Sequence, residues 1–343
     1  MALGLLIGYG SIGKRHGKLI GPRYDSIAIV DQSPESRKRV SIDHPDATVA
    51  GNLDALDRIG WEWGDSTGII ATWGPSHFEI FNELVDRGVK RILCEKPFAN
   101  SVARCVAMLE RSHVDGVTLG VHHQRRYSGL ANGIKNIAQI HDLGDPVKVV
   151  IHGGAAGLVT RGVHWIDLTT ELFEDEPAEV VSTASSDKLN PRSETLGLFG
   201  GTAIWTHLGG QETVISVSNK SSIAPSTHIY YKNGVIDLAD NLEVVTRGRD
   251  PITVAKFPAV TRTGSASETL FSGAMEGVVT AEAATSRILD ELDAETLPSA
   301  LAEHALVALS ASIGALEAGK TGQKVELPID PNSELGQQIW PIS

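Results

Sequence analysis

Lys96 stands in the run Cys94-Glu95-Lys96-Pro97, directly after an apolar stretch, and His164 stands in Gly162-Val163-His164-Trp165-Ile166-Asp167. Oxidation of an alcohol needs a base and a cation converging on one oxygen, which an imidazole and an amine can supply. The hydroxyl proton must be removed while a cation holds the oxygen on which negative charge develops. An imidazole with an ordinary pKa of about 6.5 can exchange a proton near neutrality, which suits His164 to that step and an ammonium such as Lys96 to the oxygen. The reverse assignment requires the Lys96 ammonium to be desolvated. Each residue taken singly has a plain structural explanation, a solvated lysine and a half-buried helical histidine.

Gly8-Tyr9-Gly10-Ser11-Ile12-Gly13 follows an apolar strand and opens a helix, the context in which G-x-G-x-x-G binds a dinucleotide. Gly8 permits the tight turn, Gly10 lacks the side chain that would block a pyrophosphate, and Gly13 lets helix and sheet approach. The free N–H groups of the helix start, Ser11 and Ile12 among them, then hold the anion. Asp31 ends the second strand, 18 residues beyond Gly13, where a carboxylate accepts from both ribose hydroxyls. This favours NAD; Arg37 and Lys38 leave NADP open as partners of a 2′-phosphate.

The first 122 residues alternate apolar runs with helical stretches, which predicts a doubly wound parallel sheet. Expected strands are Leu3 to Ile7, Ser26 to Asp31, Thr48 to Ala50, Gly68 to Thr72, Arg91 to Glu95 and Val117 to His122. Ser76 is expected to cap a helix running to Arg87. Residues 123–343 are expected to form an α+β substrate and oligomerisation domain with a large, mostly antiparallel open sheet. A helix over Leu130 to Ile140 and a short one around His164 to Phe173 precede a succession of strands, Thr195 to Phe199 among them. Asn233-Gly234 signals a hairpin. Helices over Leu270 to Leu292 and Ser299 to Glu317 are expected to close the chain. Gly153-Gly154-Ala155-Ala156-Gly157 either leaves room for a bulky substrate or serves close packing.

With 343 residues, 41% hydrophobic and 21% charged, the chain has ordinary globular composition and length for about two domains. The formal charge of −12 disfavours nucleic acid. No apolar run approaches the roughly 20 residues of a membrane helix, and the first eight residues read as a buried strand rather than a secretory signal. Cys94 and Cys105, without a second cysteine pair or a histidine pair, indicate no metal site and no disulfide framework, and a cytoplasmic location is expected.

The glycine turn, the acid after strand two, Ala71-Thr72-Trp73-Gly74-Pro75-Ser76-His77 after strand four, Glu95-Lys96-Pro97 after strand five and the His164 segment, taken in order, resemble the Gfo/Idh/MocA (glucose-fructose oxidoreductase / inositol dehydrogenase) family. The resemblance implies a Rossmann domain, a C-terminal α/β domain, and hydride transfer between nicotinamide and a carbinol of a sugar, sugar derivative or cyclitol. It implies that Lys96 contacts the nicotinamide ribose and the reacting oxygen, and that His164 transfers the proton. Glu95, Thr72 and His77 fall on the cofactor side, and Arg126, Thr160 and Asp167 on the substrate side; for Thr72, His77, Arg126 and Asp167 structural roles are the alternative. Thr160 departs from the family, which usually has aspartate four residues before the histidine; a hydroxyl orients an imidazole but hardly raises its basicity. Asp167, three residues after His164, is the candidate substitute. The rival class is a dinucleotide-sensing regulatory protein on the same fold. Apolar residues such as Val214 or Ile215 on the open face of the sheet suggest a homodimer or homotetramer.

Overall fold

A computed structural model describes residues 2–154, 156–185, 193, 195–218, 220–249, 255–256, 267–296 and 301–342. In chain order it contains β1 (Leu3–Ile7), α1 (Ser11–Ile20), β2 (Ser26–Val30), α2 (Pro34–Asp43), β3 (Thr48–Ala50), α3 (Leu53–Asp57), β4 (Ser66–Ile70), α4 (His77–Asp86), β5 (Arg91–Cys94), α5 (Val102–Val114), β6 (Thr118–Val121) and α6 (Arg125–Ser128). There follow α7 (Leu130–Ile140), β7 (Pro146–Gly153), α8 (Gly162–Phe173), β8 (Pro177–Ser182), β9 (Gly201–His207), β10 (Glu212–Val217), β11 (Ser226–Tyr231), β12 (Gly234–Leu238), β13 (Glu243–Gly248) and β14 (Glu268–Ala274). The last elements are α9 (Ala281–Asp293), α10 (Leu301–Thr321), β15 (Val325–Glu326) and α11 (Glu334–Gln337).

The chain divides into two compact units. The first comprises Met1–Tyr127, Thr280–Leu309 and Asp330–Ser343, the second Ser128–Val279 and Ser310–Ile329. The sequence reading placed all of 123–343 in one body; the chain instead returns to the first unit after residue 279. The physical reason is apolar burial. Ile288, Leu289 and Leu292 of α9 are fully buried in one cluster with Leu6, Ile20, Ile29, Ile69 and Leu93. Asp293 fixes that helix further, accepting from Arg23 Nε at 2.7 Å and from Thr67 Oγ1 at 2.7 Å.

In the first unit the six strands are all parallel, in the order β3-β2-β1-β4-β5-β6. The order in which the chain adds strands reverses between β1 and β4, so the loops leaving their carboxyl ends diverge and open the crevice in which such sheets bind ligands. In the second unit nine strands run β14-β13-β12-β11-β7-β10-β9-β8-β15, antiparallel except for the β7/β10 pair. Alternate residues of β9 and β10 are buried, the period of a sheet covered on one face. The Asn233-Gly234 hairpin forms, with Tyr230 opposite Val235.

Several sequence expectations change. Leu270 lies in β14, an edge strand, and the helix starts only at Ala281, where Thr280 Oγ1 accepts from Ala283 N–H at 3.2 Å. Helical spacing of apolar residues was read through a turn at Gly277, whose φ of +76° ends any regular run. Thr195 to Phe199 forms no strand; near it an isolated bridge joins Ser185 to Gly200. Ser76 caps nothing by its side chain and sits in a 3-10 turn over Gly74–Ser76. Ile215 is fully buried while its neighbour Val214 faces the open side, because successive strand residues cannot share a face. Gly153 and Gly154 serve close packing: an added Cβ would approach Pro225 to 2.5 Å and the Ser221 carbonyl to 2.4 Å. Ala155, in the middle of that run, and Ser299, at the expected start of the last helix, lie outside the described residues.

Leu289→Ala should lower the stability of the protein by about 2–5 kcal/mol in urea unfolding, since the site cannot fully collapse. Ile42→Ala, at a position 78% exposed, should change it by less than about 0.5 kcal/mol.

Candidate functional site

The glycine turn joins β1 to α1. Gly8 has φ +94°, and a Cβ there would lie 2.7 Å from the Ala71 carbonyl oxygen. A Cβ on Gly13 would come within 2.0 Å of the Gly8 carbonyl oxygen, so helix and turn touch backbone to backbone. At Gly10 an added Cβ would meet nothing within 4 Å. Two glycines are thus required by packing and the third faces open space. α1 has no side-chain N-cap and no acid in its first turn, so the amides beginning at Ser11 and Ile12 keep their positive end for an external anion. The turn fits a pyrophosphate.

Asp31 follows β2, and its carboxylate is held from two sides: Oδ2 accepts from Tyr9 N–H at 2.7 Å and Oδ1 from Ser33 N–H at 2.8 Å. These bonds fix the acid beside the glycine turn and leave lone pairs on both oxygens. Arg37 Nη1 donates to the carbonyls of Asp31 and Gln32, so the guanidinium braces this loop. Lys38 is exposed.

After β4, Thr72 Oγ1 accepts from Ser76 Oγ at 2.8 Å. His77 is fully buried, with Nδ1 3.0 Å from the Pro97 carbonyl and Nε2 3.1 Å from the Thr72 carbonyl. Its ring therefore sits between the loop after β4 and the loop after β5, and in its neutral form donates to one of the two carbonyls. That is a positioning role, the structural alternative to a cofactor contact.

Glu95 follows β5 and is 5% exposed. Oε1 lies 2.7 Å from His16 Nε2 and 2.8 Å from His122 Nδ1, while Oε2 accepts from Lys96 N–H at 3.2 Å. His122 Nε2 is 2.8 Å from Thr285 Oγ1. His16 and His122, neither singled out from the sequence, thus hold the carboxylate whose other oxygen holds the backbone of Lys96. Their signal was a histidine on the first turns of α1 and another at the end of β6, invisible until the parallel order sets these ends side by side. The three donors lie within 4.8 Å of one another, a grouping able to hold a cation, but here the imidazoles bond the carboxylate oxygen directly.

Burial works against charge on all these groups. It pushes His16 below the usual imidazole value, opposed by the hydrogen bond to Glu95. His16 Nδ1 is buried without a hydrogen-bond partner, so a second proton has no acceptor there. Burial likewise lowers His77, opposed by the Thr72 carbonyl. For Glu95 burial alone would raise the carboxyl, yet the electrostatic pull and hydrogen bond of His122, then those of His16, hold it well below the usual carboxylate range.

Lys96 is half-buried in the first unit, and Arg126 is half-buried near the end of its first segment. His164, Asp167 and Thr160 belong to the second unit. His164 and Asp167 lie in α8, 7% and 1% exposed, three residues apart and so on one side of the helix. Thr160 is half-buried in the turn before it, its hydroxyl beside the backbone of Gly157. Gly162 at the start of α8 has open space where a side chain would project.

A parallel sheet with this glycine turn, this acid and Glu-Lys-Pro at its carboxyl edge defines a dinucleotide-binding Rossmann unit. Residues 4–123 match the family described as "Oxidoreductase family, NAD-binding Rossmann fold". Inositol 2-dehydrogenase 3 of Saccharopolyspora erythraea is 28% identical over 203 residues, 53% of this chain and 57% of that protein. The chain thus aligns with little more than half the length of that curated relative. An oxidoreductase of Agrobacterium radiobacter, solved with NAD+, L-tartaric acid and magnesium, superposes with a TM-score of 0.72 at 18% identity, covering 95% of this chain and 98% of that one. The WlbA dehydrogenase of Bordetella pertussis, solved with NADH and UDP-GlcNAcA, gives 0.71 at 18% identity over 96% and 99%. These two likenesses establish the fold. No helix among the described residues is long and apolar enough to cross a membrane.

The pKa directions set a sign. His16 and His77 titrate lower when folded than when unfolded, so the unfolded chain binds more protons as pH falls through about 6.5, and stability complete above that value is lost on acidification. Glu95 adds a second loss below about 4.3. Melting temperature should therefore fall steadily from pH 7.5 to 5.5. His77→Asn should flatten that slope by up to about 1.4 kcal/mol per pH unit, and an unchanged slope would remove His77 from the account.

Proposed function

We propose that the protein is an NAD-dependent dehydrogenase or reductase acting on a CH–OH group of a sugar, sugar derivative or cyclitol. The observation that carries this reading is Glu95-Lys96, braced by two histidines, at the carboxyl edge of the same sheet whose glycine turn presents open amides. Gly8, Gly10, Ser11, Ile12 and Gly13 cradle the pyrophosphate by backbone. Asp31 accepts from the adenosine ribose, which favours NAD over NADP, and Arg37 supports this by being spent on backbone carbonyls. Thr72 and Lys96 serve the nicotinamide side. Nicotinamide, when bound, accepts or donates the hydride.

Lys96 holds the reacting oxygen and stabilises negative charge on it; His164 takes the hydroxyl proton in oxidation and returns it in reduction. Asp167 orients His164 in place of the aspartate that Thr160 replaces, and Thr160 and Arg126 bind substrate. The named inositol dehydrogenase relative supports a polyol substrate. The outer face of the nine-stranded sheet supports self-association: Val181, Ile204, Val214 and Val150 stand in one cross-strand row on it, a surface that a second copy would cover.

The test is the absorbance of reduced nicotinamide during incubation with a panel of polyols and sugars, beside cofactor binding by fluorescence. Turnover is expected with at least one class. Lys96→Ala and His164→Ala should each cut it by about 10²–10⁴-fold with little change in cofactor affinity. Tight cofactor binding without turnover over the whole panel would replace the enzyme by a dinucleotide-sensing protein. Light scattering should give two or four times the 36.5 kDa chain mass, and the chain mass itself would contradict self-association through the sheet.

A further inference from the structure

The open face of the nine-stranded sheet carries a second cluster that plays no part in the proposed reaction. His152 of β7 and His228 of β11 stack with ring centroids 5.0 Å apart and planes 9° from parallel, and their Nε2 atoms lie 3.0 Å apart. The register explains the meeting. Ser226 pairs with His152 and His228 with Val150, so the two histidines are diagonal neighbours on one face. Ser226 Oγ lies 3.4 Å from both Nε2 atoms.

Behind this pair stands an orienting chain. Asp237 of β12, directly opposite His228, places Oδ1 2.5 Å from His228 Nδ1, and Arg247 of β13 holds the other carboxylate oxygen. With its Nδ1–H donated to Asp237, His228 presents a bare lone pair at Nε2. A carboxylate behind an imidazole fixes the tautomer and raises basicity at the opposite nitrogen, the arrangement that supports histidine ligands of metals. Without a cation that lone pair faces His152 Nε2 at 3.0 Å and Ser226 Oγ at 3.4 Å.

We propose that His152 and His228 form a binding site for a divalent transition cation of the zinc type, with Ser226 and water completing its coordination. Tetrahedral Zn–N bonds of about 2.0–2.1 Å place two ligand nitrogens about 3.3 Å apart, a few tenths of an ångström wider than observed. In the single chain His152 is exposed and His228 partly so, so a cation reaches the pair there without unfolding the sheet. Arg247, beside this cluster, is paired with Asp237. The His16, Glu95 and His122 group is the poorer candidate, because a cation there would break two buried hydrogen bonds to one carboxylate oxygen. The site departs from the sequence expectation of no metal, since histidines 76 residues apart in the chain show no ligand spacing.

The test is titration of the full, chelator-treated chain with zinc chloride by calorimetry, with His152→Asn, His228→Asn and Asp237→Asn made separately and their melting temperatures checked. One zinc per chain with micromolar affinity is expected, weakened by about tenfold or more in each histidine variant and by about tenfold in the Asp237 variant. Cobalt bound to the parent chain should show ligand-field bands that both histidine variants lose. Millimolar or weaker zinc binding, or binding that the two histidine variants leave unchanged, would overturn the proposal.

Discussion

A buried carboxylate keeps its charge only where donors surround it, and Glu95 is the point on which the first unit turns. His16 brings α1 to it, His122 brings the end of β6, and the amide of Lys96 closes the other oxygen. Removing one donor would leave a buried charge incompletely paired, a far larger penalty than the loss of a surface ion pair. The glycine turn, the end of β5 and the end of β6 therefore form one assembly. Lys96 inherits a fixed backbone from a residue that does no chemistry itself.

His77 repeats the device on a smaller scale. Its imidazole sits between the loops after β4 and β5, beside a backbone carbonyl of each, so three successive carboxyl ends of the parallel sheet meet at buried imidazoles rather than by packing alone. Burial favours the neutral ring of His16 and His77, and the donors around Glu95 favour its ionised form, which couples the geometry of the rim to pH. The rim is also where glycine is obligatory: a side chain at Gly8 or Gly13 would collide with backbone, while the open space at Gly10 is shaped for a group from outside the chain.

The second unit follows a different economy. Its sheet buries one face and leaves the other carrying an aliphatic row beside the His152, His228, Asp237 and Arg247 cluster. Aliphatic residues on an uncovered sheet face are costly in water, whereas a polar chain of this kind is satisfied by its own members. Val150 and His228 are cross-strand partners, so the aliphatic row runs directly into the histidine pair on one face.

Local features were legible from residues alone. The glycine turn, Asp31, the Glu95-Lys96 edge, the helix bearing His164 and the Asn233-Gly234 hairpin are contiguous motifs whose spacing encodes their conformation, and the alternation of the first 122 residues predicts parallel strands because few topologies satisfy it. Contacts between distant segments were not legible. The stretch from Leu270 to Leu292 has helical apolar spacing throughout, yet its first part pairs with β13, because an exposed strand edge offers hydrogen bonds that local periodicity cannot register. The return of α9 to the first unit, the grip of His16 and His122 on Glu95, and the meeting of His152 with His228 join residues 27 or more positions apart. Backbone propensity and motif spacing act over a few residues and so can be read along the chain; burial and charge pairing act through space, and only the folded chain decides them.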